Sequence, residues 1–421
     1  MFSIITLVNK LFKNDKEVED KYRVALDIGT EFVKAMIVKF DGSNSNIIGY
    51  GRIKQDYTNM EGGAISNIEE VIKTCHKAIE KAEKMAEISP SEMVIGIAGE
   101  FVKGVITPVN YVRPLPKKRI KRKEIDNLVK KAQSIALKSV QKELWEDIGL
   151  EDVKVELVNS SVVEMKIDGY KVTNPKEFQG KNLEISVFNT FAPLVHVGSL
   201  ETVATRLGYN LVGVIAEPFS IAKSIMNNEA YEFGAIVIDI GGGTTDIALI
   251  RNGGIEGTKM FGIAGRDFTK SLARSLNLTL EDAENLKLAY SLEHPEISIE
   301  KIKDILKADL DLLYEGIELS LKSLAKCEAL PQKIYLCGGG SALKGLFDGI
   351  IQRKMYEDLP FFKKPEIKLL DANQIVGIED NTKLLVGAEN VTPKSLALQS
   401  TMIEEVKECN LFYKLINNLV S

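Results

Sequence analysis

The sequence predicts an α/β protein of two related domains facing each other across a cleft, on three observations. At 421 residues, 45% of them hydrophobic, the chain exceeds what one core usually supports, so two or more domains are expected. A strand–turn–strand unit occurs twice, about one domain's length apart. A third glycine cluster stands at the end of a further apolar run.

The repeat carries most of the inference. "RVALDIGTEFVKAMIVKFDGSN" (23–44) and "AIVIDIGGGTTDIALIRNGG" (235–254) share an apolar run, Asp-Ile-Gly, small or hydroxyl residues, a second apolar run and a polar glycine turn. Each reads as a β-hairpin whose aspartate, Asp27 or Asp239, ends the first strand. Two such hairpins from two domains would meet across a cleft, where ligands commonly bind. Glycine weakens a strand, so a glycine turn there points to close approach by a ligand or another backbone.

Turns of this kind aim backbone N–H groups at one spot and make a concavity suited to phosphate oxygens. Gly29, Thr30, Gly241, Gly242, Gly243, Thr244 and Thr245 are the expected donors. At about 1.5–3 kcal/mol per charge-assisted bond, half a dozen would hold a triphosphate. An aspartate beside a polyanion needs an intervening cation, so Asp27 and Asp239 are expected to hold a hydrated Mg²⁺ through water. Lys34 could reach back across the first hairpin as a point charge for the phosphates. The alternative is two ordinary glycine turns with incidental aspartates.

The third element, "KIYLCGGGSALKGLFDGII" (333–351), reads as a strand, a glycine triplet and a helix. Gly338, Gly339, Gly340 and Ser341 would let a flat ring lie against backbone beside a helix N-terminus. There is no GxxxxGK[ST], and no GxGxxG between a strand and a helix, so the P-loop and dinucleotide folds are not indicated.

In this order the elements resemble the actin-like ATPase superfamily, with "LDIGTEFVK" and "IDIGGGTTD" as phosphate loops and "CGGGSAL" as the adenosine loop. The resemblance implies two actin-like (ribonuclease H-like) domains around ATP and Mg²⁺. "VIAEPFSIAKSI" (214–225) resembles the segment joining the domains, in which Glu217 would orient the attacking water; a helix-start acid before Pro218 is the plainer reading. "LEDAENLKLAY" resembles the AExxK motif, by which Glu284 and Lys287 would hold the adenosine end.

Residues 92–192 decide the member. Two strands, a helix over "KRKEIDNLVKKAQSIALKSV" and a hairpin with "IDGYKVTNPKEFQGKNLEI" are similar to the extra subdomain of FtsA, the bacterial cell-division protein. The expected division is a tail over 1–20, a first domain over 21–91 and 193–233, an inserted α+β subdomain over 92–192, a second domain over 234–400 with a helical part at 262–330, and a tail over 401–421. The resemblance implies a protein on the inner face of the cytoplasmic membrane that polymerises and links the FtsZ C-terminal peptide, and so the FtsZ ring, to that membrane, with slow ATP hydrolysis. A PilM-like pilus-assembly adaptor is the alternative. A small-molecule kinase lacks an obvious acceptor-site acid, and a chaperone would need a substrate domain beyond residue 400.

Charge and composition narrow the partners. A net charge of −5 argues against wholesale nucleic-acid binding. Cys75, Cys327, Cys337 and Cys409 form no CxxC pair and read as reduced thiols. No apolar run approaches the ~20 residues of a membrane span. Apolar residues at helical spacing occur near both ends (Phe2, Ile4, Ile5, Val8, Leu11, Phe12; Leu411, Phe412, Leu415, Ile416, Leu419, Val420). Either end could lie on an anionic membrane surface as an amphipathic helix or pack on the body. "RPLPKKRIKRKEIDNLVKK" (113–131) is strongly basic. It reads as a solvated loop and helix face, or as a surface for an acidic partner or anionic lipid.

Overall fold

The computed structural model describes residues 20–149, 153–226, 228–292, 298–326, 328–353 and 357–403. Both amphipathic ends, Cys327 and Cys409 lie outside them. Cys75 and Cys337 are free and buried, and none of the described helices is long and apolar enough to cross a membrane.

Runs of β-branched and apolar residues supply the strands. Strands β1 (Lys21–Ile28), β2 (Phe32–Phe40) and β3 (Ser45–Lys54) form an antiparallel meander, followed by the small ribbon β4 (Met60–Glu61) and β5 (Ala64–Ile65). With β6 (Glu92–Ile97), β11 (Asn210–Ala216) and the short β17 (Glu379–Asp380), the meander makes a six-stranded sheet in the order β11-β6-β1-β2-β3-β17. Helix Ile68–Ala86 covers one face, burying Val71, Cys75, Ala78 and Ile79. The helix comes so close that a Cβ on Gly51 would lie 1.9 Å from the Ala78 carbonyl oxygen.

The second sheet has nine strands, β16-β15-β12-β13-β14-β7-β10-β8-β9. Its second-domain half is β12 (Ala235–Ile240), β13 (Thr245–Arg251), β14 (Gly254–Phe261), β15 (Lys333–Cys337) and β16 (Glu366–Leu369). Helices Gly265–Leu276, Leu280–Ser291 and Ile299–Ala325 bury their apolar faces in a core with Ile236, Ile238 and Leu249. The other half is the insertion, β7 (Lys103–Val112), β8 (Val155–Ile167), β9 (Tyr170–Lys171) and β10 (Asn182–Pro193), with helix Arg122–Ile148 packed on it. The halves join where β7 meets β14, Gly104 opposite Thr258.

The expected start of the insertion at residue 92 is too early. Strand β6 pairs in parallel with both β1 and β11 inside the first sheet, and the chain leaves that sheet only after Ile97. The apolar run "MVIGI" is buried on both faces, as a central parallel strand requires. Helix Glu217–Ser224 packs against the wholly buried helix Val391–Ser400 between the sheets.

Candidate functional site

Both repeats fold as predicted, β1–β2 and β12–β13. The Gly29 N–H closes the first turn on the Phe32 carbonyl, and the Gly241 N–H closes the second on that of Thr244. Among the described residues the amides of Gly242 and Gly243 donate to nothing in the chain, and both glycines face a cleft of about 380 Å³. The turns touch: a Cβ on Gly243 would lie 2.5 Å from the Thr30 hydroxyl, and one on Gly242 2.6 Å from Glu31 Cγ.

The repeat sets the charges below the turns. Asp27 stands opposite Lys34 in the first ladder, and Asp239 opposite Asp246 in the second, so Lys34 and Asp246 are equivalent positions of opposite sign. Lys34 Nζ is 3.9 Å from the Asp27 carboxylate and donates to the Glu389 carbonyl. Asp246 has an Oδ1 without a partner. Like charges facing each other across a ladder repel. The Asp27 carboxyl stands at about 6: burial raises it, Lys34 opposes the rise and Asp239 adds to it. Burial raises Asp239 too, opposed by the Thr392 hydroxyl that donates to it. Asp246 and Glu217 are raised well above the ordinary range by burial and then by neighbouring carboxylates.

Of the residues expected from sequence, Asp27, Gly29, Thr30, Lys34, Glu217, Asp239, Gly241, Gly242, Gly243, Thr244, Glu284, Lys287, Gly338, Gly339 and Gly340 all line this cleft. Glu217 opens its helix. Glu284 and Lys287 pair at 2.8 Å, and Lys287 ties down to the Gly265 carbonyl and the Thr269 hydroxyl at 2.9 Å each. Three expected hydroxyl donors have partners in the chain: Thr244 donates to the Asp246 carboxylate at 3.4 Å, inside the cleft, and two others are spent elsewhere. The buried Thr245 hydroxyl donates to the Ile263 carbonyl, because alternation on β13 turns it away from the cleft, and Ser341 donates to Gly338 within its own turn. After β15 a 3-10 turn, Gly339–Ala342, precedes the helix, which begins only at Leu346. Gly338 has φ +84°, and a Cβ there would lie 2.1 Å from Asp239 Oδ1; this is why the triplet sits against the second phosphate-type turn.

Sequence reasoning missed Asp246, Thr392 and Arg266. Arg266, in the first turn of helix Gly265–Leu276, crosses to the first domain. Its guanidinium pairs with Glu31 and donates to the carbonyls of Thr30, Tyr57 and Met60. An arginine there opposes the helix dipole, and that mismatch was the available signal. Asp246 could have been found from its spacing to Asp239, which equals that of Lys34 to Asp27.

The residues present suit a polyanion with a cation. Free glycine amides face the cleft, and buried carboxylates stand below them, with Lys34 opposite Asp27. No cluster of three ligands close enough to bind a metal directly occurs among the described residues.

This fold and cleft are those of actin-like ATPases. A solved PilM–PilN type IV pilus biogenesis complex is similar over 90% of this chain and 98% of its own, at TM-score 0.64 and 18% identity. MreB5 of Spiroplasma citri bound to AMPPNP is similar at TM-score 0.50 and 13% identity, over 93% of this chain and 99% of that one. The sequence family "Cell division protein FtsA" matches residues 236–407, and "MreB/Mbl protein" matches 170–290. Cell division protein FtsA of Pseudomonas aeruginosa is 25% identical across 77% of this chain and 79% of its own. That of Streptococcus pneumoniae is 26% identical across 77% and 71%. The chain therefore has the actin-like ATPase fold, and in sequence it is similar to the FtsA cell-division proteins.

Proposed function

We propose that the cleft binds ATP with Mg²⁺, and that the protein forms filaments which tether FtsZ, through its C-terminal peptide, to the inner face of the cell membrane. The observation that carries the nucleotide reading is the contact between the two duplicated turns directly above buried carboxylates. The cell-division and membrane reading is supported by the likeness to FtsA proteins.

In this reading the amides of Gly242 and Gly243, with the Thr30 and Thr244 hydroxyls, hold phosphate oxygens, and Lys34 adds a point charge. Mg²⁺, held through water by Asp27 and Asp239, supplies positive charge against the phosphates. Glu217 accepts a hydrogen bond from the attacking water and orients it; its raised carboxyl takes a proton readily. The Glu284–Lys287 pair and the Gly338–Gly340 turn bracket the nucleoside. Hydrolysis is slow, and the nucleotide acts chiefly by holding the domains closed.

Calorimetry tests the site. Asp239→Ala is expected to abolish Mg·ATP binding, and unchanged affinity would remove the site. Glu217→Ala should bind Mg·ATP but release phosphate at least ~10²-fold more slowly. Co-sedimentation with an FtsZ C-terminal peptide tests the partner, and the absence of any binding with or without ATP would discard it.

A further inference from the structure

The far end of the insertion is a rigid, basic and apolar tip. The loop 113–121 and the loop 173–181 are locked together by backbone bonds: Ile120 N–H to the Phe178 carbonyl at 2.8 Å, Glu177 N–H to that of Ile120 at 3.0 Å, and Gly180 N–H to that of Pro116 at 3.0 Å. Arg113, read from sequence as part of a surface charge run, is instead the buried pin. Its guanidinium bonds Glu124 at 2.9 Å and the carbonyls of Gly180 at 2.8 Å and Lys118 at 2.9 Å.

What this frame holds outward is unusual for a solvated loop. Leu115 and Phe178 are 52% and 51% exposed, on the two loops the frame joins. Around them Lys117, Lys118, Lys121, Lys123, Lys176 and Lys181 are exposed. Three of the nearby acids are occupied: Glu124 with Arg113, Glu177 with Arg119, and Asp168 with the Lys181 and Asn182 amides. Large apolar side chains that project from a ring of long cationic ones match a lipid interface, where the ring enters the acyl boundary and lysines reach the headgroups. A folded acidic protein would match the charge, but it would leave the protruding Leu115 and Phe178 without a reason.

We propose that this tip is a second membrane contact, inserting Leu115 and Phe178 into an anionic bilayer while its lysines bind the headgroups. It deepens the membrane part of the proposed function and is independent of the nucleotide cleft. A preformed tip loses little conformational freedom on binding, and it adds to whatever the chain ends contribute, since stable attachment takes more than one weak anchor.

The test uses the full chain with Trp145→Phe, which removes the single tryptophan, and Phe178→Trp as a local reporter. Vesicles of phosphatidylglycerol and phosphatidylcholine are expected to shift the Trp emission to the blue and to allow quenching by brominated lipid, whereas pure phosphatidylcholine vesicles do neither. Adding Lys117→Glu and Lys118→Glu should weaken vesicle binding roughly tenfold with an unchanged melting curve. A protein that sediments with the anionic vesicles while its reporter stays silent overturns the tip contact and leaves the membrane reading standing. No sedimentation overturns both. An equal blue shift with polyglutamate in place of vesicles also overturns the proposal, in favour of an acidic protein partner.

Discussion

Asp27 shows how the repeat shapes single residues. In the second hairpin its counterpart Asp239 faces a like charge, while Asp27 faces Lys34, yet burial still holds its carboxyl at about 6. Between the ordinary 3.8 and about 6 the folded chain keeps a proton that the unfolded chain has released. Ligand-free stability therefore falls as pH rises through that window and levels off above it. Asp27→Asn should raise ligand-free stability near neutral pH by about 3 kcal/mol less whatever Lys34 loses, seen as a higher melting temperature, and change little near pH 4; melting curves at both pH values check it. Thr392→Val removes the hydroxyl that favours the ionised Asp239. It should weaken Mg·ATP binding about tenfold, in line with ~1.5 kcal/mol for a bond to a charged group, as calorimetry would read. Asp27 and Asp239 were legible because their motif repeats. Thr392 was not, because its helix is buried on every side and carries no amphipathic pattern to mark one face.

At the scale of elements, the two turns meet because helix Gly265–Leu276 braces them. Its first amides bond the Gly241 and Gly242 carbonyls, at 3.1 and 2.7 Å, and Arg266 then crosses the cleft mouth to the Glu31 turn and to the carbonyls of Tyr57 and Met60. The Arg266 side chain is 7% exposed and that of Glu31 17%, so removing one partner strands a mostly buried charge. Arg266→Ala should cost about 3 kcal/mol in urea denaturation, and Glu31→Gln in the same background should add far less than it does alone. The hairpins themselves were readable from alternation and turn residues, and so were the insertion's strands and helix. The edge of the insertion was not, because β6 has the apolar composition of any central strand and only its partners, β1 and β11, reveal the sheet to which it belongs. Nor was the offset between the glycine triplet and its helix: Gly338 and Gly345 both have positive φ, +84° and +83°, and together they insert a turn that composition alone does not announce.

For the whole molecule, the proposed filament and the proposed membrane contacts explain each other. A single interfacial helix or a single basic tip binds lipid weakly and reversibly. A row of subunits converts every later contact into an intramolecular one and raises avidity by ~10²–10⁴. If ATP closes the cleft and the closed form polymerises, lipid binding must depend on nucleotide and on protein concentration together. The expected outcome is that sedimentation with anionic vesicles rises steeply above a threshold protein concentration with ATP and only gradually without it. Asp239→Ala should lose the threshold and keep the gradual part, since its lipid-binding segments are intact. Deleting residues 1–14 or 403–421 should show which end contributes, by lowering the gradual part first. Binding that stays gradual in the wild-type chain with ATP would separate nucleotide from assembly, and the cleft would then have to act on something other than filament formation.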